Sequence, residues 1–433
     1  MMNYHETLEI KPFAHCLSAS VSVPGSKSIT NRALILAALC SRWGACELTG
    51  ALDSEDTEVM IDSLHRLGFA VETHWKENLI RVGKNDSGRV IPAHSADLFV
   101  ANSGTSMRFL TAMVSLGQGR YRLDGIARMR ERPIQDLLDA LNQLGVQVSS
   151  EAGNGCPPVM VEADQWQKSS AMIRTSTSSQ FLSALMMAAP FSALSETSIA
   201  FDETLVSRPY LDMTERMLLD WGLQIQFRDR SRSFKAPGSQ SAYRSSYAIE
   251  PDASAASYFF AAAAILGGHV AVLGLTDQSM QGDIHFVDVL EQMGCRVEKC
   301  SSGITVHGRK LRGVDVDMNE ISDTVMTLGA AACFAEGPTT IRNIAHIRHK
   351  ETDRIAALAN ELRKVGAAVE EFPDGMKIIP GPLHGAAIDT YNDHRMAMCM
   401  ALVGLRVPGI IIRNPGCVAK TYPSFWQDLA RLH

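Results

Sequence analysis

Hydrophobic and polar positions along the chain fall into a recurring phrase: an apolar helical segment, a glycine, then a strand-like run. It appears as Leu67-Gly68-Phe69, Leu144-Gly145-Val146, Trp221-Gly222-Leu223, Met293-Gly294-Cys295 and Val365-Gly366-Ala367, with the glycines 72 to 77 positions apart. Glycine just past a helix end, followed by apolar residues, is a C-cap leading into a strand. A second series keeps step with the first. Polar clusters at Ser28, Ser103, Ser179, Asp252, Asp323 and Asp393, 70 to 76 positions apart, each introduce a helix of small apolar residues. The segments 33–39, 181–189, 255–266 and 396–405 are apolar nearly all round, which predicts buried helices. Short runs at 79–82, 159–161, 304–306 and 376–379 predict strands.

Together these series predict six α/β units of about 72 residues, too long and too strand-rich for the common helical solenoids. A chain of 433 residues exceeds one ordinary core, and six units divide into two domains of three. The polar stretch 228–244 is the linker candidate. A strand near 8–12 precedes the first unit and would complete the last one. The expected division is 1–22 with 244–433 as a discontinuous domain, and 23–243 as the domain inserted in it.

Composition narrows the class. With 46% hydrophobic and 20% charged residues the chain is ordinary for a soluble globular protein, and its net charge of −6 disfavours nucleic acid or a membrane surface as partner. The longest apolar run, 258–266, is far short of the ~18 residues a membrane span needs. Met1-Met2-Asn3-Tyr4-His5-Glu6 lacks the basic-then-apolar pattern of a signal peptide. Nine scattered cysteines without a Cys-x-x-Cys pair support neither a zinc site nor a disulfide framework, so reduced thiols and a cytoplasmic location are expected.

Positive charge is local. The stretch 348–354 holds Arg348, Lys350 and Arg354 beside Glu351 and Asp353. If Lys350 opens the helix behind it, Lys350 and Arg354 share a face one turn apart, with Glu351 at i,i+3 from Arg354. Alone, such a stretch reads as a surface ion-pair ladder. Its company at 26–32, 128–132 and 392–395 points instead to a small, multiply anionic ligand. The predicted helix starts are natural anion sites, because a helix N-terminus offers free N–H groups and partial positive charge. Any one hydroxyl there reads as a simple N-cap, but the serine-rich run 175–180 exceeds capping needs and fits a phosphate or polyol cradle. Gly104 would let the backbone approach a ligand closely. Asp323 by itself reads as a cap, and His394 as a structural donor. No nucleotide P-loop, Ser-His-Asp triad or metal-ligand spacing is present, so no metal and no cofactor are expected.

Taken together, eight segments resemble the 5-enolpyruvylshikimate-3-phosphate synthase family. They are 24–34 around Lys27 and Arg32, 102–108 around Gly104, 130–134 with Arg132, 178–182, 207–210, Lys350-Glu351-Thr352-Asp353-Arg354, 391–398 with Asp393-His394-Arg395, and 419–423 with Lys420. They stand in the family's order with near-family spacing. The resemblance implies a two-domain inside-out α/β barrel of six βαβαββ repeats, three per domain, with the active site in the cleft between domains. It also implies a monomer that moves the enolpyruvyl group of phosphoenolpyruvate onto the 5-hydroxyl of shikimate 3-phosphate.

Carried over residue by residue, Lys27, Gly104, Arg132, Gln180, Arg354, Arg395 and Lys420 match phosphoenolpyruvate contacts. Lys27, Ser28, Arg32, Ser178, Ser179, Gln180, Ser207, Asp323 and Lys350 match shikimate 3-phosphate contacts. Asp323 is implied as general base, with Glu351 and Lys27 handling protons at the methylene carbon; Tyr210, His346 and His394 are further candidates. His346 departs from the asparagine many members carry there, and the neighbours of Gly104 also differ. The UDP-N-acetylglucosamine enolpyruvyl transferases of the same fold mostly carry a cysteine before the arginine matching Arg132. Here that loop reads Arg128-Met129-Arg130-Glu131, and the nearest cysteine is Cys156. A non-catalytic anion-binding relative would be expected to lose Asp323 or Glu351; both are present.

Overall fold

Five times the chain leaves a helix through a glycine in the left-handed region: φ is 88° at Gly68, 90° at Gly145, 78° at Gly222, 112° at Gly294 and 103° at Gly366. In each turn the glycine N–H and the next N–H reach back into the last helical turn. Phe69 N–H donates to Leu64 O at 3.0 Å, and Ala367 N–H to Leu362 O at 3.1 Å. Two orphan carbonyls are satisfied, and the chain is redirected into a strand. This is the glycine series predicted from sequence, observed in a computed structural model that describes residues 6–202, 205–228 and 232–432.

These residues form two compact units, 25–249 and the described parts of 1–24 with 250–433. In the inserted unit, Ser95–Phe99 runs parallel to Gln118–Asp124, which pairs antiparallel with Val159–Asp164, itself antiparallel to Gln147–Ser150. A helix follows each of the first two strands, Gly104–Val114 and Gln135–Gln143, giving the order βαβαββ. The next repeat does the same with Ser170–Ile173, Glu196–Phe201, Ser233–Pro237 and Gln226–Arg228. The remaining sheet borrows its first strand: Ser246–Ala248 lies parallel to Cys46–Thr49, which pairs with Leu79–Val82 and, beyond it, Val71–His74.

Packing explains why this unit is inside out. Helices Lys27–Cys40, Gly104–Val114 and Ser179–Ala188 are buried on every side and lie against one another, while helices such as Glu55–Arg66 bury one face only. Strands alternate buried and exposed positions, as in Val159–Asp164, so the sheets cover the helices and face water on their other side.

The flanking unit repeats the plan around Ala253–Leu266, Val325–Ala332 and His394–Gly404. Leu17–Val21 supplies the parallel strand beside Gly268–Leu273. The last sheet has three strands, with Thr7–Glu9 antiparallel to Ile411–Arg413, which is parallel to Ala387–Ile388.

Two expectations need correction. The polar stretch 228–244 is not a free linker: Ser233–Pro237 is a strand that buries Phe234 and Ala236, although 229–231 lie outside the described residues, as do 1–5. And Lys350 does not open a helix. Asp353 does, its carboxylate accepting from Ala356 N–H at 3.1 Å, so the helix begins at Arg354 and Lys350 stands in extended backbone before it.

The glycine turns make a graded prediction. A Cβ at Gly222 would meet nothing within 4 Å, so Gly222→Ala costs only the left-handed conformation, about 1–2 kcal/mol. At Gly366 the same Cβ runs into Pro382 O, adding a clash. Thermal melts should show Gly366→Ala lowering the midpoint well beyond Gly222→Ala; equal midpoints would contradict this.

Candidate active site

The starts of the buried helices carry most of the predicted residues. In the inserted unit, Lys27 is the first residue of its helix and pairs with buried Asp56 at 3.4 Å. One turn on, Arg32 is fully enclosed and ties three helices together. Its guanidinium donates to Thr214 Oγ1 at 2.8 Å, Ser28 O at 3.0 Å, Ser183 Oγ at 3.3 Å and Tyr210 O at 3.3 Å. The rings of Phe109 and Tyr210 lie 5.1 and 5.7 Å from its Cζ. Burial lowers its pKa to about 10, which still leaves it charged at neutral pH.

Gly104 begins its helix for a steric reason. A Cβ there would collide with the Arg132 guanidinium, which donates to Asn102 O at 2.9 Å. Sequence grouped Arg128, Arg130 and Arg132, but the structure separates them. Arg130 holds Asp124 at 2.7 Å and Arg128 holds Glu131 at 2.8 Å, both toward solvent, whereas Arg132 is buried against Gly104. Ser178 caps the third helix, accepting from Gln180 N–H at 3.2 Å, and Ser179 is its buried first residue. Ser207, buried with φ 53°, precedes the helix Pro209–Asp220 that carries Tyr210.

In the flanking unit the centre is Asp323. Its carboxylate meets Arg395 at 2.9 Å, Arg354 at 3.2 Å and Lys350 at 3.4 Å, cations from two different repeats. Asp323 sits in the turn Ser322–Thr324, directly ahead of Thr324, which is the N-cap residue of the helix Val325–Ala332. Arg354 is only 2% exposed and also grips Asp393 at 2.8 Å and Glu351 at 2.8 Å. Burial alone would lower its pKa, but Asp393, Glu351 and Asp323 together raise it above the ordinary value. Glu351 meets Lys420 at 3.9 Å, the outer limit of an ion pair. Buried ion pairs contribute little net stability because desolvation offsets attraction. A cluster of this size is therefore better explained by what it binds than by what it holds together.

The two histidines behave as neutral groups. Burial first, then Lys350, pushes His346 down to about 3. Burial and Arg395 lower His394 as well, and neither of its ring nitrogens has a hydrogen-bond partner. Sequence reasoning missed three contributors: Asp56 beside Lys27, Tyr258 whose hydroxyl meets Arg395 at 3.4 Å, and Asp283. Asp283 is buried, takes one hydrogen bond from Ser254 Oγ, and has an unpartnered Oδ1. Its turn packs against that of Asp323, and burial and the Asp323 charge raise it to about 7. Nothing in its local sequence distinguishes it from a surface acid. Among the described residues no group of His, Cys, Asp and Glu is arranged to hold a metal, and no helix is long and apolar enough to cross a membrane.

Known proteins match along nearly the whole chain. The family model for EPSP synthase (3-phosphoshikimate 1-carboxyvinyltransferase) matches residues 14–429. A 3-phosphoshikimate 1-carboxyvinyltransferase of Nostoc sp. is 47% identical over 428 residues, 99% of each chain. That of Shewanella denitrificans is 45% identical over 427 residues, covering 98% of each. Among solved structures, EPSP synthase of Acinetobacter baumannii superposes with a TM-score of 0.81 at 26% identity, over 99% of this chain and 98% of that one. An enolpyruvyl transferase of Streptomyces tendae, 20% identical with a TM-score of 0.76 over 99% and 97% of the two chains, shares the fold. A full-length family match, close relatives and six repeats wound inside out around helix starts rich in Lys, Arg and Ser agree: the chain belongs to the EPSP synthase family of enolpyruvyl transferases.

Proposed function

We infer that the chain transfers the enolpyruvyl group of phosphoenolpyruvate to the 5-hydroxyl of shikimate 3-phosphate, releasing phosphate, within aromatic amino acid biosynthesis. The observation that carries this reading is the Asp323 carboxylate gripped by Lys350, Arg354 and Arg395. A base needs to stay ionised and fixed, and two highly anionic substrates need cations that are already oriented.

In the proposed chemistry Asp323 accepts the proton of the attacking hydroxyl as its oxygen bonds to C2 of phosphoenolpyruvate. Glu351 and Lys27 deliver a proton to the methylene carbon, giving a tetrahedral adduct. Loss of a methyl proton and cleavage of the bond to phosphate then restore the double bond. Lys27, Gly104, Arg132, Gln180, Arg354, Arg395 and Lys420 are assigned to phosphoenolpyruvate. Lys27, Ser28, Arg32, Ser178, Ser179, Gln180, Ser207, Asp323 and Lys350 are assigned to shikimate 3-phosphate, with Tyr210 near its ring. Gly104 suits this role because the close approach of Arg132 leaves no room for a side chain. No metal or cofactor is required, since every step is a proton transfer or the making and breaking of a C–O bond. A cytoplasmic monomer is the proposed form; nine unpaired cysteines support a reducing location.

A coupled assay should detect phosphate release only when both substrates are present. Tight binding of both without release would leave an anion-binding protein and sink the reading. Asp323→Asn should keep substrate affinity within a few-fold while kcat falls about 10²–10⁴-fold. Unchanged kcat would remove Asp323 from the base role.

The Asp283 carboxyl adds a pH dependence. Raised to about 7 by burial first and then by the Asp323 and Asp252 charges, against the opposing pull of Arg395 and the Ser254 hydrogen bond, it is neutral below that pH and anionic above it. As pH rises through about 7, a new negative charge appears beside the site, so KM for the anionic substrates should rise. Stability follows the same sign. From about 4, where an ordinary carboxyl ionises, up to about 7, only the folded state keeps the proton, so stability falls as pH rises. Asp283→Asn should flatten both trends; KM and melting profiles parallel to wild type would contradict this.

A further inference from the structure

The turn that delivers Asp393 and Arg395 holds one unsuitable residue. Thr390 O accepts from Asp393 N–H at 2.8 Å, closing a four-residue turn whose central residues, Tyr391 and Asn392, have φ of 53° and 52°. Positive φ at both central positions is the geometry that Gly and Asn favour; a tyrosine there is strained. Strain of that kind persists only where the surroundings over-determine the backbone. Here the surroundings are visible. The Tyr391 hydroxyl donates to Glu361 Oε1 at 2.7 Å, and Asn414 Nδ2 donates to Asn392 Oδ1 at 3.1 Å. Glu361 is completely buried and is fixed in turn by Lys364 Nζ at 2.9 Å and the Asp389 N–H at 3.1 Å.

The turn leads straight into the site. Its last residue, Asp393, caps the helix His394–Gly404, accepting from Arg395 N–H at 2.9 Å, and holds Arg354 with both oxygens at 2.8 and 3.2 Å. A small rotation of the turn would therefore move two guanidinium groups at once. Tyr391 itself is about half exposed, so its ring contributes little to the core.

We propose that Tyr391 is a positioning residue whose hydroxyl, tethered to buried Glu361, holds a strained turn so that Arg354 and Arg395 are set for phosphoenolpyruvate. The proposal rests on the assignment of those arginines to that substrate. Tyr391→Phe removes the tether alone. Tyr391→Gly removes tether and strain together, because glycine adopts positive φ freely. The tether account predicts that KM for phosphoenolpyruvate rises about fivefold in the Phe variant, with a smaller change for shikimate 3-phosphate. In the Gly variant it rises at least as much, although the thermal midpoint is held or raised. A phosphoenolpyruvate KM at the wild-type value in either variant would overturn the proposal. So would a KM rise shared equally by both substrates, or a Gly-variant rise accompanied by a falling midpoint. Absence of turnover in the wild type would instead overturn the functional reading on which the tether rests.

Discussion

Arg354 is the constraint around which the flanking unit's site is organised. One buried guanidinium satisfies Asp393 from the sixth repeat, Glu351 from just ahead of its own helix, and Asp323 from the turn before Val325–Ala332. A buried cation must find carboxylates, and these carboxylates must find cations, so the positions of all four side chains are mutually fixed. Lysine could not replace it, because a point charge lacks the planar fork that reaches several acceptors at once. The proposed base is thus held by the same group that is proposed to bind substrate.

The repeat supplies the frame for this. Within each unit three buried helices lie side by side, and the residues of interest cluster at or just before their first turns: Lys27, Gly104 and Ser179 in one, Asp323 and Arg395 in the other. Small residues let these helices pack closely, and their N-termini present oriented N–H groups that favour anions.

Much of this was legible in the sequence because it rests on local rules. Left-handed glycines after helices and apolar helices with polar starts have short-range causes, and both series reappear in the structure. The resemblance to the enolpyruvyl transferases likewise named Lys27, Arg32 and Gly104 from short strings. What stayed hidden depends on long-range packing. Arg354 and Asp393 are 39 residues apart, and no spacing rule pairs them. Among Arg128, Arg130 and Arg132 the resemblance marks only Arg132, and the physical difference, that Arg132 lies buried against Gly104 while the other two pair toward solvent, comes from the fold. The charge pattern around Lys350 allows a helix to start there, but the carboxylate of Asp353 caps it three residues later. Asp283 and the Tyr391–Glu361 tether carry no local signature at all.

The central claim, that this cluster drives addition of a hydroxyl to phosphoenolpyruvate, is tested most directly by rapid-quench single turnover. Excess protein is mixed with shikimate 3-phosphate and labelled phosphoenolpyruvate, and the quenched species are separated over time. The account predicts an adduct carrying both substrates that forms first and decays as enolpyruvyl product and phosphate appear. Binding of both substrates with no adduct and no product would contradict it.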